Sequence, residues 1–146
     1  MYKLVKERRA WWPVVFKGVT EEGRVVENKV EFRFTIHSED DHAQLLASAA
    51  GLRDRAEELV REEVGDIEVS QEELAEKKLT ILSRLYAEFV ERFATDWRGI
   101  GAENGDPLRF EPENLRLFMN VPGTFKATFE AYAKCRIGEK EARAGN

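Results

Sequence analysis

The chain has 146 residues, 42% of them apolar and 35% charged, with a formal net charge of −5. That length suits one domain that buries a core without disulfides or structural metal, while the acidic balance lacks the basic footprint of a nucleic-acid binder. A single cysteine, Cys135, excludes an internal disulfide and fits a reducing compartment. Neither an N-terminal h-region nor an apolar run of membrane-spanning length occurs, so a cytoplasmic protein without nucleic-acid or membrane partners is expected.

Taken in chain order, the pattern predicts an α+β fold. It is mostly helical, with an N-terminal antiparallel β-hairpin packed on about four helices, in a single domain over residues 1–146. Residues 1–9 are charged and expected to be flexible. Residues 11–17 are aromatic and β-branched and read as a strand. Pro13 cannot donate a ladder hydrogen bond, so the strand belongs at an edge or a strand start. Residues 18–24 form the hairpin connection. The second strand begins at Val25 or as late as Val30 and ends near His37, with Val30, Phe32, Phe34 and Ile36 on one face. Two strands alone are marginal in water, so a third short strand, or a partner's strand, is expected to complete the sheet.

Ser38 reads as an N-cap with Glu39, Asp40 and Asp41 in the first helical turn. Helix one then runs to about Glu63, with a seam of His42, Leu45, Ala49, Leu52, Ala56 and Leu59 that also suits homo-oligomer formation. Gly51 weakens that seam by about 1 kcal/mol relative to alanine, and marks either a bend or a close backbone approach. Residues 64–69 connect it to a second helix opened by a capping box at Ser70 and Glu73. Helix two is read as far as Ala94 or Asp96, with a wide apolar stripe through Leu74, Ile81, Leu82, Leu85, Phe89 and Phe93. Residues 39–78 carry 13 acidic and 5 basic residues. This is a solvated helix surface, or one that attracts a basic partner segment.

The stretch Trp97-Arg98-Gly99-Ile100 and the following Gly105-Asp106-Pro107-Leu108-Arg109-Phe110 read as turns. Their apolar side chains predict a connector folded back onto the helices. Pro112 opens a short helix through about Met119. Asn120 is taken to cap the last helix, whose face is Phe125, Phe129, Tyr132 and Ala133 and whose stop is Gly138. Residues 139–146 read as a flexible polar tail.

Little here is catalytic. His37 and His42 flank a strand–helix junction, with Asp40 and Asp41 close by, short of the three or four ligands that a metal site needs. Cys135 has no adjacent histidine and reads as a partly buried small hydrophobe. No P-loop, Rossmann fingerprint or Gly-x-Ser-x-Gly elbow occurs. No enzyme, cofactor or metal is expected. Trp11 and Trp12 are adjacent, so on a strand they point to opposite faces, and one of them is a candidate binding anchor. Leu117, Phe118, Met119, Val121 and Phe125 form a second apolar cluster, and methionine adapts to varied partners. Trp11, Trp12, Phe118 and Met119 are therefore the candidate partner contacts.

The order Trp97-x-Gly99-Ile100, Gly105, Pro107-Leu108-x-Phe110, then Asn114-Leu115 resembles the C-terminal region of tail assembly chaperones from long-tailed phages. Trp12-Pro13-Val14, and Phe32 and Phe34 in a strand leading to a helix, sit where that family has similar residues. The likeness covers roughly residues 11–137 and consists of structural positions. It implies a chaperone made in the host bacterial cytoplasm that binds the tape measure protein, keeps it soluble, helps recruit the tail tube protein and is absent from the finished virion. Two rival readings stand beside it. One is a structural tail component of the virion, such as a tube or tail-completion protein. The other is a small metal-binding regulator or enzyme using His37 and His42.

Overall fold

The computed structural model describes residues 1–139. Period-two alternation produces two long strands, β1 (Arg8–Val19) and β2 (Val25–Ile36), paired antiparallel over their whole length. Gly23, at φ +83°, turns the hairpin and donates its N–H to the Thr20 carbonyl. The first strand is longer than residues 11–17, and it takes in Arg8 and Arg9, which were expected to be flexible.

Among the described residues there are five helices, where about four were expected: α1 (Glu39–Ala50), α2 (Leu52–Val64), α3 (Gln71–Val90), α4 (Pro112–Met119) and α5 (Thr124–Ile137). The single helix read over residues 38–63 is broken at Gly51. Among the described residues no other segment approaches that glycine: a side-chain carbon there meets only α1's own carbonyl oxygens. The break lets α1 turn Leu45 onto the main core while α2 turns Ala56 and Val60 onto α3. Two serines cap as expected. Asp41 N–H donates to Ser38 Oγ at 3.2 Å, and Glu73 N–H to Ser70 Oγ at 3.1 Å.

Helix two does not reach Ala94. α3 ends at Val90, a turn follows, and residues Ala94–Arg98 form a third strand, β3, antiparallel to β2. Thr35 N–H donates to the Phe93 carbonyl at 2.9 Å. Edge pairing to β2 satisfies backbone groups and buries Phe93, Ala94 and Trp97 on the sheet face, which outweighs the helical spacing that continues through Phe93. The sheet order is β1-β2-β3, so the short third strand comes from this chain.

The last helix also starts differently. Asn120 closes α4, and α5 begins after Gly123, whose φ of +85° a residue with a side chain rarely adopts. Thr124, fully buried, ties the junction by donating its hydroxyl to the Phe118 carbonyl at 2.6 Å. The expected polar tail lies, from residue 140 onward, outside the described residues.

One sheet face, built from Val14, Val30, Phe32, Phe34 and Trp97, packs with Ala87, Phe89 and Val90 of α3, Leu115 and Phe118 of α4, and Tyr132 of α5. A second, smaller cluster of Ala56, Val60, Ile81 and Leu82 joins α2 to the middle of α3. The 20-residue α3, about 30 Å long, therefore serves both clusters. No helix of the described residues is long and apolar enough to cross a membrane.

Phe89 is buried between Phe93, Phe125 and Phe129. Phe89→Ala is expected to lower stability by about 3–5 kcal/mol in chemical denaturation. A loss near zero would mean that α3 presents a different face to the core.

Candidate functional site

The four candidate contacts separate in space. Trp12 lies on the helix side of β1, partly buried against the core. Trp11 lies on the open sheet face, under two guanidinium groups: Arg98 Cζ is 4.1 Å and Arg33 Cζ 5.9 Å from its ring centre. Arg98 is held by Glu31 through two bonds of 3.1 and 3.3 Å. Phe118 and Met119 point inward. At 8% and 4% exposure they are core residues, with Phe118 touching Phe16, Phe32 and Trp97. The sequence spacing did not separate the two faces of this short helix. Phe118 and Met119 reach a partner only if the domain opens.

The residues that carry the family likeness have structural reasons. Trp97 is in β3 rather than in a loop, and its indole N–H donates to the Leu108 carbonyl at 2.8 Å. Gly99 has φ +88°, and a Cβ there would sit 3.7 Å from the Val30 backbone. Gly105 has φ +91° in a turn in which Gly101 bridges to Pro107. Leu108 and Phe110 pack on the main core, with Phe110 edge-on to Trp97 at 5.3 Å. Asn114 donates to the Arg109 carbonyl at 3.0 Å, and Leu115 is fully buried. The stretch is a packed return from β3 into α4.

Turning Phe118 and Met119 inward turns Leu117 out. Leu117 is 63% exposed and lines an open groove of about 480 Å³ between α3 and α4, with Thr80, Ser83, Glu113, Arg116 and Asn120. Leu79, 67% exposed, lies one helical turn before Ser83 on the same face of α3. Val121, 45% exposed, follows Asn120 at the other end. Apolar side chains beside a shallow groove with both charge signs suit a polypeptide better than a small molecule, which prefers an enclosed apolar cavity. The sequence placed Leu117 and Val121 in the apolar cluster and left Leu79 out. Spacing alone could not single out Leu79 as exposed, because it lies three and four residues before the buried Leu82 and Ser83.

A polar cluster lies where α1 and α5 meet the end of β2. His37 Nε2 donates to the Arg92 carbonyl at 2.8 Å. Arg136 donates to the His37 carbonyl at 3.3 Å and pairs with Glu39. The rings of His37 and His42 lie 6.3 and 5.7 Å from that of Tyr132. The Tyr132 hydroxyl and His42 Nδ1 are buried without a well-formed hydrogen bond, although the His37 backbone faces the hydroxyl. Burial pushes the Tyr132 phenol up to about 12 and the Cys135 thiol up to about 11. A thiol raised in this way is the reverse of an activated nucleophile. Burial, and then the Arg136 charge, lowers the pKa of His42. No three His, Cys, Asp or Glu side chains among the described residues converge to hold a metal ion.

No protein-family model, curated protein or solved structure matches the chain. The functional reading therefore rests on its own surfaces.

Two outcomes follow from the polar cluster. Tyr132→Phe removes a poorly satisfied buried hydroxyl while keeping the ring, and should raise stability by about 1 kcal/mol, seen as a higher melting temperature; a lower one would mean that the hydroxyl is well bonded. A histidine whose folded pKa is depressed contributes stability above its unfolded value of 6.5, lost as the pH falls below it. His42→Gln should accordingly flatten the fall in melting temperature as the pH drops below 6.5, and an unchanged slope would assign that fall to other groups.

Proposed function

We propose that this protein is an assembly chaperone that holds an apolar helical segment of a longer partner in the groove between α3 and α4. The observation that carries this reading is the exposed apolar set Leu79, Leu117 and Val121 around that groove. These side chains have the i, i+3 and i+4 anchors of an amphipathic helix as their natural counterpart. A holder of this kind lowers the free concentration of aggregation-prone chain by mass action. The acidic surface of residues 39–78 keeps the complex apart from its neighbours.

The sequence likeness gives that partner a name. In the tail-assembly reading it is the tape measure protein of a long-tailed phage, and the tail tube protein is recruited afterwards. The chaperone acts in the host bacterial cytoplasm and is left behind when the virion is complete. Trp97, Leu108, Phe110 and Leu115 support this reading only as a scaffold: they pack the return from β3 into α4 against the core, and α4 then leaves Leu117 exposed.

Co-expression with the long helical protein that the tail-assembly reading expects to be encoded beside it is the direct test. The partner is expected to stay soluble and to co-purify. Leu79→Glu combined with Leu117→Glu should reduce the retained partner about tenfold or more with little change in melting temperature, since both side chains are exposed. An insoluble partner, or retention unaffected by the double substitution, would remove the groove from the reading.

A further inference from the structure

Hydrogen-bond parity decides which groups of β1 face outward. Thr20 N–H donates to the Arg24 carbonyl just beyond the Val19–Val25 pair, and Thr35 N–H on β2 donates towards β3. Bonded and non-bonded pairs alternate in an antiparallel ladder. The even-numbered residues of β1 therefore bond β2, and the backbone groups of Arg9, Trp11, Val15, Lys17 and Val19 point away from the sheet. Pro13 shares that outward parity, which is why a residue without an N–H fits a paired strand. β1 lies at one end of the sheet order, and no described strand pairs with its outer edge.

This edge is basic. Its twelve residues include Arg8, Arg9 and Lys17 and no acid; the segment leading into it adds Lys3 and Lys6 against Glu7, whose carboxylate lies 3.4 Å from Arg9, and on β2 Glu27 stands opposite Lys17. At the N-terminal end of β1 lies a concavity of about 640 Å³, lined by the apolar Tyr2, Val5 and Ile36 together with Lys3, Arg8 and Arg9. A second copy of the chain is a poor occupant. Strand β1 against strand β1 would set the cations of both copies along one seam, where like charges repel.

We propose that an extended, acidic segment of a partner protein adds to β1 as a fourth strand. Its main chain bonds the outward groups of β1. Its acidic residues lie over Arg9 and Lys17 on the open face, and its alternate apolar residues lie on the side of Trp12 and Phe16. One end sits in the concavity beside Tyr2 and Val5. Main-chain bonds supply affinity in this mode and the alternating side chains supply specificity. Pro13 removes one donor but keeps its carbonyl, so the edge accepts a strand yet resists uncontrolled stacking. The proposal is independent of the α3–α4 groove.

The probe is a labelled peptide of about eight alternating glutamate and valine residues, a common strand length, titrated by fluorescence anisotropy. Saturable binding is expected. It should weaken about tenfold or more in the Arg9→Glu, Lys17→Glu double variant, and similarly for a peptide with the same residues in two blocks. Both substituted side chains are exposed, and an unchanged melting temperature confirms folding. In the wild-type complex, hydrogen exchange should slow at the amides of Arg9, Trp11, Val15, Lys17 and Val19. Absence of saturable binding, indifference to charge reversal, equal binding of the block peptide, or unslowed exchange at those amides would each overturn the proposal.

Discussion

The aromatic face of β2 is the constraint on which the rest of the structure depends. Phe32 and Phe34 are fully buried, and between them they touch every element that follows α3. Phe32 meets Trp97 of β3, Phe110 of the return loop and Phe118 of α4. Phe34 meets Phe93 and Tyr132. Two rings cannot be sheltered by a hairpin alone. The chain therefore supplies β3 along one edge and α4 and α5 across the face. Each buried aromatic removes a large apolar area from water, and edge-to-face pairing adds about 0.5–1.5 kcal/mol per pair.

That arrangement also decides which surfaces remain for function. α4 has only eight residues, and its inward side is filled by Leu115, Phe118 and Met119, so Leu117 is turned towards the groove. α3 divides its apolar stripe between two clusters, with Leu79 on neither. β1 gives Ala10, Trp12, Val14 and Phe16 to the core, and no described strand pairs with its outer edge. Groove and edge are thus the leftovers of core packing. They differ in chemistry: the groove is apolar with both charge signs, and the edge is cationic with half-buried aromatics. Trp11 is covered from the open side by Arg33 and Arg98, with Glu31 holding Arg98 in place, so its exposed area is smaller than that of a free tryptophan on a sheet.

Charge is distributed along the same division. The acidic excess falls on residues 39–78, the span of α1, α2 and the start of α3. A local basic excess, Lys3, Lys6, Arg8, Arg9 and Lys17 against Glu7, falls on β1 and the segment before it. An overall charge of −5 hides this separation. It gives the molecule two surfaces with opposite preferences in long-range steering, each weakened by salt within a Debye length of about 10 Å.

By itself the sequence determined the hairpin and its register face, both serine caps, the proline-opened α4, the Gly138 stop and the α+β class. Each of these is local: a period of two or of 3.6, or a capping side chain three residues from its target. Only the tertiary structure decided that residues 94–98 leave the helical pattern to pair with β2, that the first helix breaks at Gly51, that Asn120 closes α4 instead of opening α5, and that Phe118 and Met119 face inward. Those choices turn on which distant surface each segment meets, and helical spacing is the same whichever side becomes the inside. The physical reason is that burial against Phe32 and Phe34 outweighs local propensity, and that preference appears only once the chain has folded onto them.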